Sequence, residues 1–394
     1  MNQISVAHVN LSRGFRGGER QTELLIFCLA KKEVNQILIC RKGSPLADHL
    51  RMVSGLEIIE LEKYIDLRLC GHRILSKRCK IIHAHEARAA QWAFIHNCLF
   101  KVPYVITRRV PENIRENFFN QQIYSRAARL VAISHPIKYY LINRINRQVD
   151  LVPSSCAHFT VNYNVVDSLR KEYAGKFVVG HVGALVDKHK GQSTLIDAAN
   201  ILTEKIPNLR VIFIGDGEDK EFLMKKADKL VKQEVIKFLG FVNNVGDYLH
   251  IMDVFAYPSN YEGLGSVLLD VMEQRVPIVA TAVGGILDIV KNNSTGLLFD
   301  RGDSRALAEE ILRLYQSMRL RERLILNGVK TAKSYSPERM ADSYLRIYRE
   351  ICKVGGGAPK LTTTTRSWSD FEEFLLSTRD RHSQKRSAYY ICQR

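Results

Sequence analysis

Residues 258–285 read PSNYEGLGSVLLDVMEQRVPIVATAVGG. An apolar run, Val254 to Tyr257, enters a Pro-Ser-Asn turn, and the acid Glu262 follows. Gly263-Leu264-Gly265-Ser266 then bends the chain into an amphipathic helical pattern that carries a second acid, Asp270. A second apolar run, Val276 to Ala280, leads to Gly284-Gly285. Unpaired N–H groups at a helix start, with the positive end of the helix dipole behind them, favour a phosphate. An acid at such a mouth hydrogen-bonds sugar hydroxyls. Two such helix starts are expected here, one after Ser266 and one after Gly285. The spacing from Glu262 to Asp270 is about two helical turns, which puts both acids on roughly one side of one long ligand.

Outward from this block, strand-like and helix-like segments alternate. Strands are expected at Ile4–Val9, Gln36–Cys40, Glu57–Glu60, Ile81–Ala84, Tyr104–Thr107 and Leu130–Ile133. A second set is expected at Phe177–Val182, Leu209–Ile214, Ile236–Phe238, Val254–Tyr257, Ile278–Ala280 and Gly296–Phe299. Alternation of this kind implies parallel sheets joined by right-handed crossovers. The fold class is therefore α/β, with two doubly wound, Rossmann-like domains facing a cleft at the carboxyl ends of their strands. The domains are placed at 1–165 and 166–335, joined near 154–175. Ser336-Pro337 starts a final helix over 336–352, with Ser336 as N-cap. Residues 353–394 lose all periodicity after Val354-Gly-Gly-Gly and read as a flexible basic tail with a short helix at Ser369–Ser377.

Composition narrows the classes. The chain has 394 residues, 46% hydrophobic and 25% charged, a globular profile large enough for two domains. Its formal net charge of +17 suggests an anionic partner. The basic residues are dispersed and form no nucleic-acid module, so no nucleic acid is expected. Eight cysteines, none in a Cys-x-x-Cys pair, argue against a zinc ribbon and for reduced thiols in the cytoplasm. No cleaved leader and no spanning apolar run is expected.

The 258–285 block resembles the Glu-(seven residues)-Glu signature of the retaining glycosyltransferases of family 4, also called glycosyltransferase group 1, which have the GT-B fold. Asp270 stands where that family usually has its second Glu. Gly17-Gly18-Glu19-Arg20-Gln21, after the first strand, resembles the family's Gly-Gly-x-Glu-Arg element. Phe177 to Gly191 resembles its Val-Gly-Arg-Leu segment followed by Lys-Gly. Gly183 and Lys190 match, but Ala184 replaces the diphosphate-binding Arg. Diphosphate binding then leans on Lys190, helix dipoles and a second basic residue such as Lys188. The Ser134 that opens a helix and the Gly215-Asp-Gly turn resemble loops lining the family's cleft.

The resemblance implies transfer of a hexose or N-acetylhexosamine from a nucleotide-diphosphate sugar to a glycan hydroxyl, with retention. Glu262, Lys190 and Arg109 would be the catalytic residues. The donor would be held by Gly17, Gly18, Ser134, Gly183, Lys190, Gly215, Gly263, Leu264, Gly265, Ser266 and Asp270. His85, Glu86, Arg88 and Arg108 fall on the acceptor side. Arg109 stands where many members have a His, and paired with Arg108 it suits an anionic group. No metal and no cofactor is expected beyond the donor. The basic charge suits a lipid-linked acceptor such as lipopolysaccharide core, at the inner face of the cytoplasmic membrane. A nucleotide-sugar epimerase with the same fold and a non-catalytic subunit are the alternatives, the latter suggested by Ala184, Asp270 and Arg109.

Overall fold

A computed structural model of the chain describes residues 4–62, 66–76, 78–111 and 113–353. The tail beyond Lys353, including the Ser369–Ser377 helix, lies outside the described residues. The first sheet contains β1 (Ser5–Asn10), β2 (Asn35–Arg41), β3 (Leu56–Leu61), β4 (Ile81–Ala84), β5 (Tyr104–Arg108), β6 (Arg129–Ala132) and β7 (Val149–Leu151). Its order is β3-β2-β1-β4-β5-β6-β7. The second contains β8 (Phe177–Val182), β9 (Leu209–Ile214), β10 (Ile236–Gly240), β11 (Val254–Tyr257), β12 (Ile278–Thr281) and β13 (Leu297–Phe299), ordered β10-β9-β8-β11-β12-β13. Every strand pairing is parallel.

Both faces of such sheets are covered by helices, so the strands are apolar along their length. Val6, Ala7, Val9, Ile81, Ile82 and Val179 are fully buried. In each sheet the strand order reverses once, between β1 and β4 and between β8 and β11. Loops on either side of such a switch point diverge and leave a crevice, the usual ligand position in doubly wound sheets.

The first helix, Gly17–Ala30, begins earlier than its apolar spacing suggests. Glu19 accepts from the Arg16 N–H at 3.0 Å, which draws both glycines into the first turn. The last helix, Pro337–Lys353, starts where Ser336 Oγ accepts from the Arg339 N–H at 3.3 Å. It packs back on the first domain. Met340, Ala341, Tyr344 and Tyr348 form one buried cluster with Val6, Leu25 and Val105. Tyr348 OH lies 2.6 Å from His83 Nδ1, and Tyr344 OH lies 2.8 Å from Thr107 Oγ1.

These contacts make the last helix part of the first domain's core. Tyr348→Phe should lower unfolding free energy by about 1–3 kcal/mol, since it strands a buried His83 nitrogen. Tyr348→Ala should cost about 3–5 kcal/mol. Chemical denaturation of the purified variants measures both, and a neutral Tyr348→Ala would contradict the packing role.

Candidate active site

The loop after β11 brings the second domain's polar groups together. Lys190 ends a single helical turn, Asp187–Lys190, and its Nζ reaches Glu262 Oε1. The same oxygen accepts from Tyr257 OH at 2.6 Å and Ser259 Oγ at 3.0 Å. All three bonds converge on Oε1, which leaves Oε2 for a ligand hydroxyl. Burial alone would push the Lys190 ammonium down, but Tyr257 and Glu262 beside it raise its pKa above the usual lysine range, so it stays charged. This pair sits beside the β8/β11 switch point.

Backbone close approach fixes the loop. A Cβ on Gly284 would lie 2.3 Å from the Glu262 carbonyl oxygen, and one on Gly285 would lie 2.1 Å from that of Gly263. Across the cleft, a Cβ on Gly263 would lie 2.1 Å from the Arg109 carbonyl oxygen. Gly183 and Gly215 interlock in the same way, with a Gly215 Cβ 2.0 Å from the Gly183 carbonyl oxygen. Leu264 is buried beneath the loop. Only glycine fits these contacts.

One of the two expected helix mouths is corrected. The helix after Gly285 is a single turn, Ile286–Ile289, and the Gly285 N–H already donates to the Glu262 carbonyl at 3.1 Å. It therefore offers no free anion site. The helix after Gly191 is covered as well, because Asp187 accepts from the Ser193 N–H and hydroxyl at 2.7 and 2.8 Å. The Val267–Glu273 helix starts at Ser266, whose side chain makes no cap bond. Its fourth residue, Asp270, is buried, and its Oδ1 accepts from the Ala157 N–H of the linker. Ala184 is exposed where the family has Arg, and Lys188 is exposed beside it.

On the first domain, Arg108 and Arg109 part company. β5 ends at Arg108, and Arg109 already lies in the loop beyond it. Arg108 turns into the domain, donating to the Val110 carbonyl at 3.1 Å and Tyr124 OH at 3.3 Å, so the expected arginine pair does not form. Glu86 caps the Ala87–Phe100 helix, accepting from the Arg88 and Ala89 N–H groups at 2.6 and 2.7 Å and from Leu11 N–H at 3.2 Å. That carboxylate is committed to backbone. Arg88 is exposed. Ser134 precedes the His135–Ile145 helix but does not cap it, and its buried Oγ has no partner. Gly17 is open, and Gly18 lies against Arg109, with a Cβ 3.7 Å from its Cδ.

Arg109 is held by a chain the sequence did not reveal. Its Nη2 lies 3.3 Å from His85 Nδ1, His85 Nε2 lies 3.0 Å from His8 Nδ1, and His8 Nε2 lies 3.1 Å from Gln36 Oε1. A guanidinium only donates, so His85 Nδ1 accepts, and every later bond then runs in one direction. Gln36 completes it by donating to the Ile26 carbonyl at 3.0 Å. Burial keeps the rings neutral: His8 is pushed down to about 4, and His83 and His85 well below the usual histidine value. Arg109 Nε and Nη1 are buried without a partner. A buried unmet donor costs about 1–3 kcal/mol, more when charged, so an anion there would be strongly favoured.

Gln21 ties the first domain to the linker, donating to the Ser155 carbonyl and accepting from the Ser155 N–H, both at 2.8 Å. The His135 N–H donates to Asp288 Oδ2 at 2.7 Å from the other side of the cleft.

With this geometry in place, likeness to known structures is informative. An Anabaena HepE complex with UDP and glucose superposes with a TM-score of 0.78 at 18% identity, over 88% of this chain and 100% of that one. The fold is GT-B. Residues 169–331, most of the second GT-B domain, match the sequence model of the family described as glycosyl transferases group 1. The chain is 34% identical over 42% of its length to the putative glycosyltransferase EpsD of Bacillus subtilis, covering 43% of that protein. It is 32% identical over 43% of its length to the lipopolysaccharide core biosynthesis glycosyltransferase LpsE of Rhizobium meliloti, covering 49% of it. The chain thus spans about half the length of these curated relatives.

Asp270 generates a pH prediction. Burial raises its pKa from 3.8 to about 7, against the pull of the Ala157 N–H. A carboxyl whose folded pKa is raised is cheapest to bury when protonated, so its ionisation weakens the fold as pH climbs through that window. Relative to wild type, Asp270→Asn should gain stability progressively from about pH 4 to about pH 7, by at most roughly 4 kcal/mol, and no further above it. A stability difference that is flat across this range would contradict the buried, ionisable Asp270.

Proposed function

We propose that this chain is a retaining glycosyltransferase that moves a hexose or N-acetylhexosamine from a nucleoside-diphosphate sugar to a glycan hydroxyl. The observation that carries the reading is the Lys190–Glu262 pair at the β8/β11 switch point, in a loop whose Gly263 meets the Arg109 carbonyl across the cleft. Support comes from the group 1 match over the same residues and from the UDP in the HepE structure. In this reading Glu262 holds donor hydroxyls, Lys190 turns to the diphosphate, and Asp270 takes the ribose. Arg109 receives an anionic group of donor or acceptor.

Bond breaking leaves an oxocarbenium-like sugar and a diphosphate. Catalysis then rests on positioning and on fixed positive charge at the leaving group. Lys190 and Arg109 supply that charge, so we assign no metal to the diphosphate. The acceptor is lipid-linked, such as lipopolysaccharide core. This part of the reading is supported by the net charge of +17 and the likeness to LpsE. Among the described residues no helix is long and apolar enough to cross a membrane. Attachment would therefore be peripheral and electrostatic.

Glu262→Ala should reduce sugar transfer well over tenfold, as expected for loss of charged hydrogen bonds worth about 1.5–3 kcal/mol. Near-normal transfer by the folded variant sinks the assignment. Turnover by chelator-treated protein should not rise on adding magnesium or manganese. Conversion of the nucleotide sugar without any acceptor would favour an epimerase instead, and nucleotide binding without turnover a non-catalytic subunit.

Sedimentation with vesicles checks the membrane reading. Binding should rise with anionic lipid content and fall as salt screens it, each basic residue near the surface adding about 1 kcal/mol. Equal binding to neutral vesicles would refute it.

A further inference from the structure

The linker between the sheets carries a cluster that sugar transfer does not use. Cys156 is buried, and its Sγ lies 3.6 Å from His158 Nε2 and 3.8 Å from Nδ1. His158 Nδ1 lies 2.5 Å from Glu273 Oε1 at the end of the Val267–Glu273 helix. The second oxygen, Glu273 Oε2, is buried with no partner. A buried carboxylate oxygen without a donor is rare and calls for an explanation. His158 sits at φ +52°, a left-handed conformation uncommon for a residue with a side chain.

The surrounding charge is also one-sided. The carboxylates of Glu273, Asp270 and Glu338 all lie close enough to the Cys156 sulfur to act on its charge. In a strongly basic protein, this is a pocket of negative potential with a thiol, an imidazole and a spare carboxylate oxygen. The other histidine group, His8, His83 and His85, is different. Its ring nitrogens are engaged by Gln36, Thr107, Tyr348, Arg109 and one another, and the Arg109 charge beside it repels a cation.

We propose that Cys156, His158 and Glu273 form a site for a divalent metal ion of the zinc class. Sulfur, nitrogen and oxygen donors suit that ion. With bonds of about 2.3 Å to sulfur and about 2.05 Å to nitrogen, a tetrahedral site separates those atoms by about 3.6 Å. Through His158 Nδ1, the nitrogen that also faces Glu273, the Cys156–His158 distance is 3.8 Å, within about 0.2 Å of that value. The His158–Glu273 pair must widen from 2.5 Å to about 3.3 Å. Half-exposed His158 gives the ion an entry path and leaves a fourth position for water. On binding, the Cys156 S–H bond breaks, a sulfur–metal bond forms and the proton leaves to solvent. The ion would staple the linker to the helix that carries Asp270, and so stiffen the hinge between the domains without touching the diphosphate.

Cobalt(II) titration of the chelator-stripped full-length protein tests this. Wild type should bind a single Co2+ with thiolate-to-metal absorption, displaced by Zn2+, and the exposed Cys352 should be dispensable in Cys352→Ser. Cys156→Ser should abolish the thiolate band. His158→Ala, at a half-exposed position that does not threaten the fold, should weaken binding by more than about tenfold, as should Glu273→Gln. Zn2+ should raise the melting temperature of wild type and not of Glu273→Gln. No thiolate band in wild type, a band that survives Cys156→Ser, or unchanged affinity in His158→Ala overturns the proposal. The readout is metal binding, so it stands apart from any failure of the transferase reading.

Discussion

The Glu262–Gly265 loop is held by backbone contacts that exclude any Cβ. On one side Gly284 and Gly285 lie against the carbonyls of Glu262 and Gly263, and on the other Gly263 meets the carbonyl of Arg109. This places a carboxylate beside Lys190, starts the helix that carries Asp270 and Glu273, and seats the loop against the Arg109 backbone of the first domain. The glycines of the loop are thus spacers for a cleft that closes backbone to backbone.

Two charges near this loop are poised differently. Lys190 is satisfied by Glu262 and can exchange that partner for a ligand at little cost. Arg109 is not satisfied: one nitrogen rests on His85, and two face nothing. Its orientation is set by a neutral, one-way chain through His85, His8 and Gln36, which cannot take up the charge. An anion is therefore worth more at Arg109 than at Lys190, and the closed cleft is a state that an anionic ligand should favour.

The fold was legible because buried parallel strands are uninterrupted apolar runs, and the expected strands fall on the observed ones. Short β7 was missed, since Val149–Leu151 is too brief to show a pattern. Of the site, Glu262 and Lys190 could be read from glycine-flanked motifs, and their direct pairing could not, because it joins residues far apart in sequence. Arg108 and Arg109 look like a pair in sequence, but β5 ends between them and their side chains take different partners. Glu86 has the look of a cleft acid at a strand end, but its place before Ala87–Phe100 marks it equally as an N-cap. The polar residues of Gly17–Gln21 proved to serve structure: Glu19 binds the Arg16 N–H, and Gln21 pins the linker at Ser155. His8 and Gln36 carry no local signal, since only the register of β1 between β2 and β4 brings them to His85.

In the proposed reading the Lys190–Glu262 pair is a resting contact which a donor opens. The direct measurement is a crystal structure with a nucleoside-diphosphate sugar bound, read at Lys190 Nζ. The ammonium should leave Glu262 for a diphosphate oxygen while Glu262 accepts from sugar hydroxyls. A bound donor with the Lys190–Glu262 pair intact and the diphosphate elsewhere would contradict it.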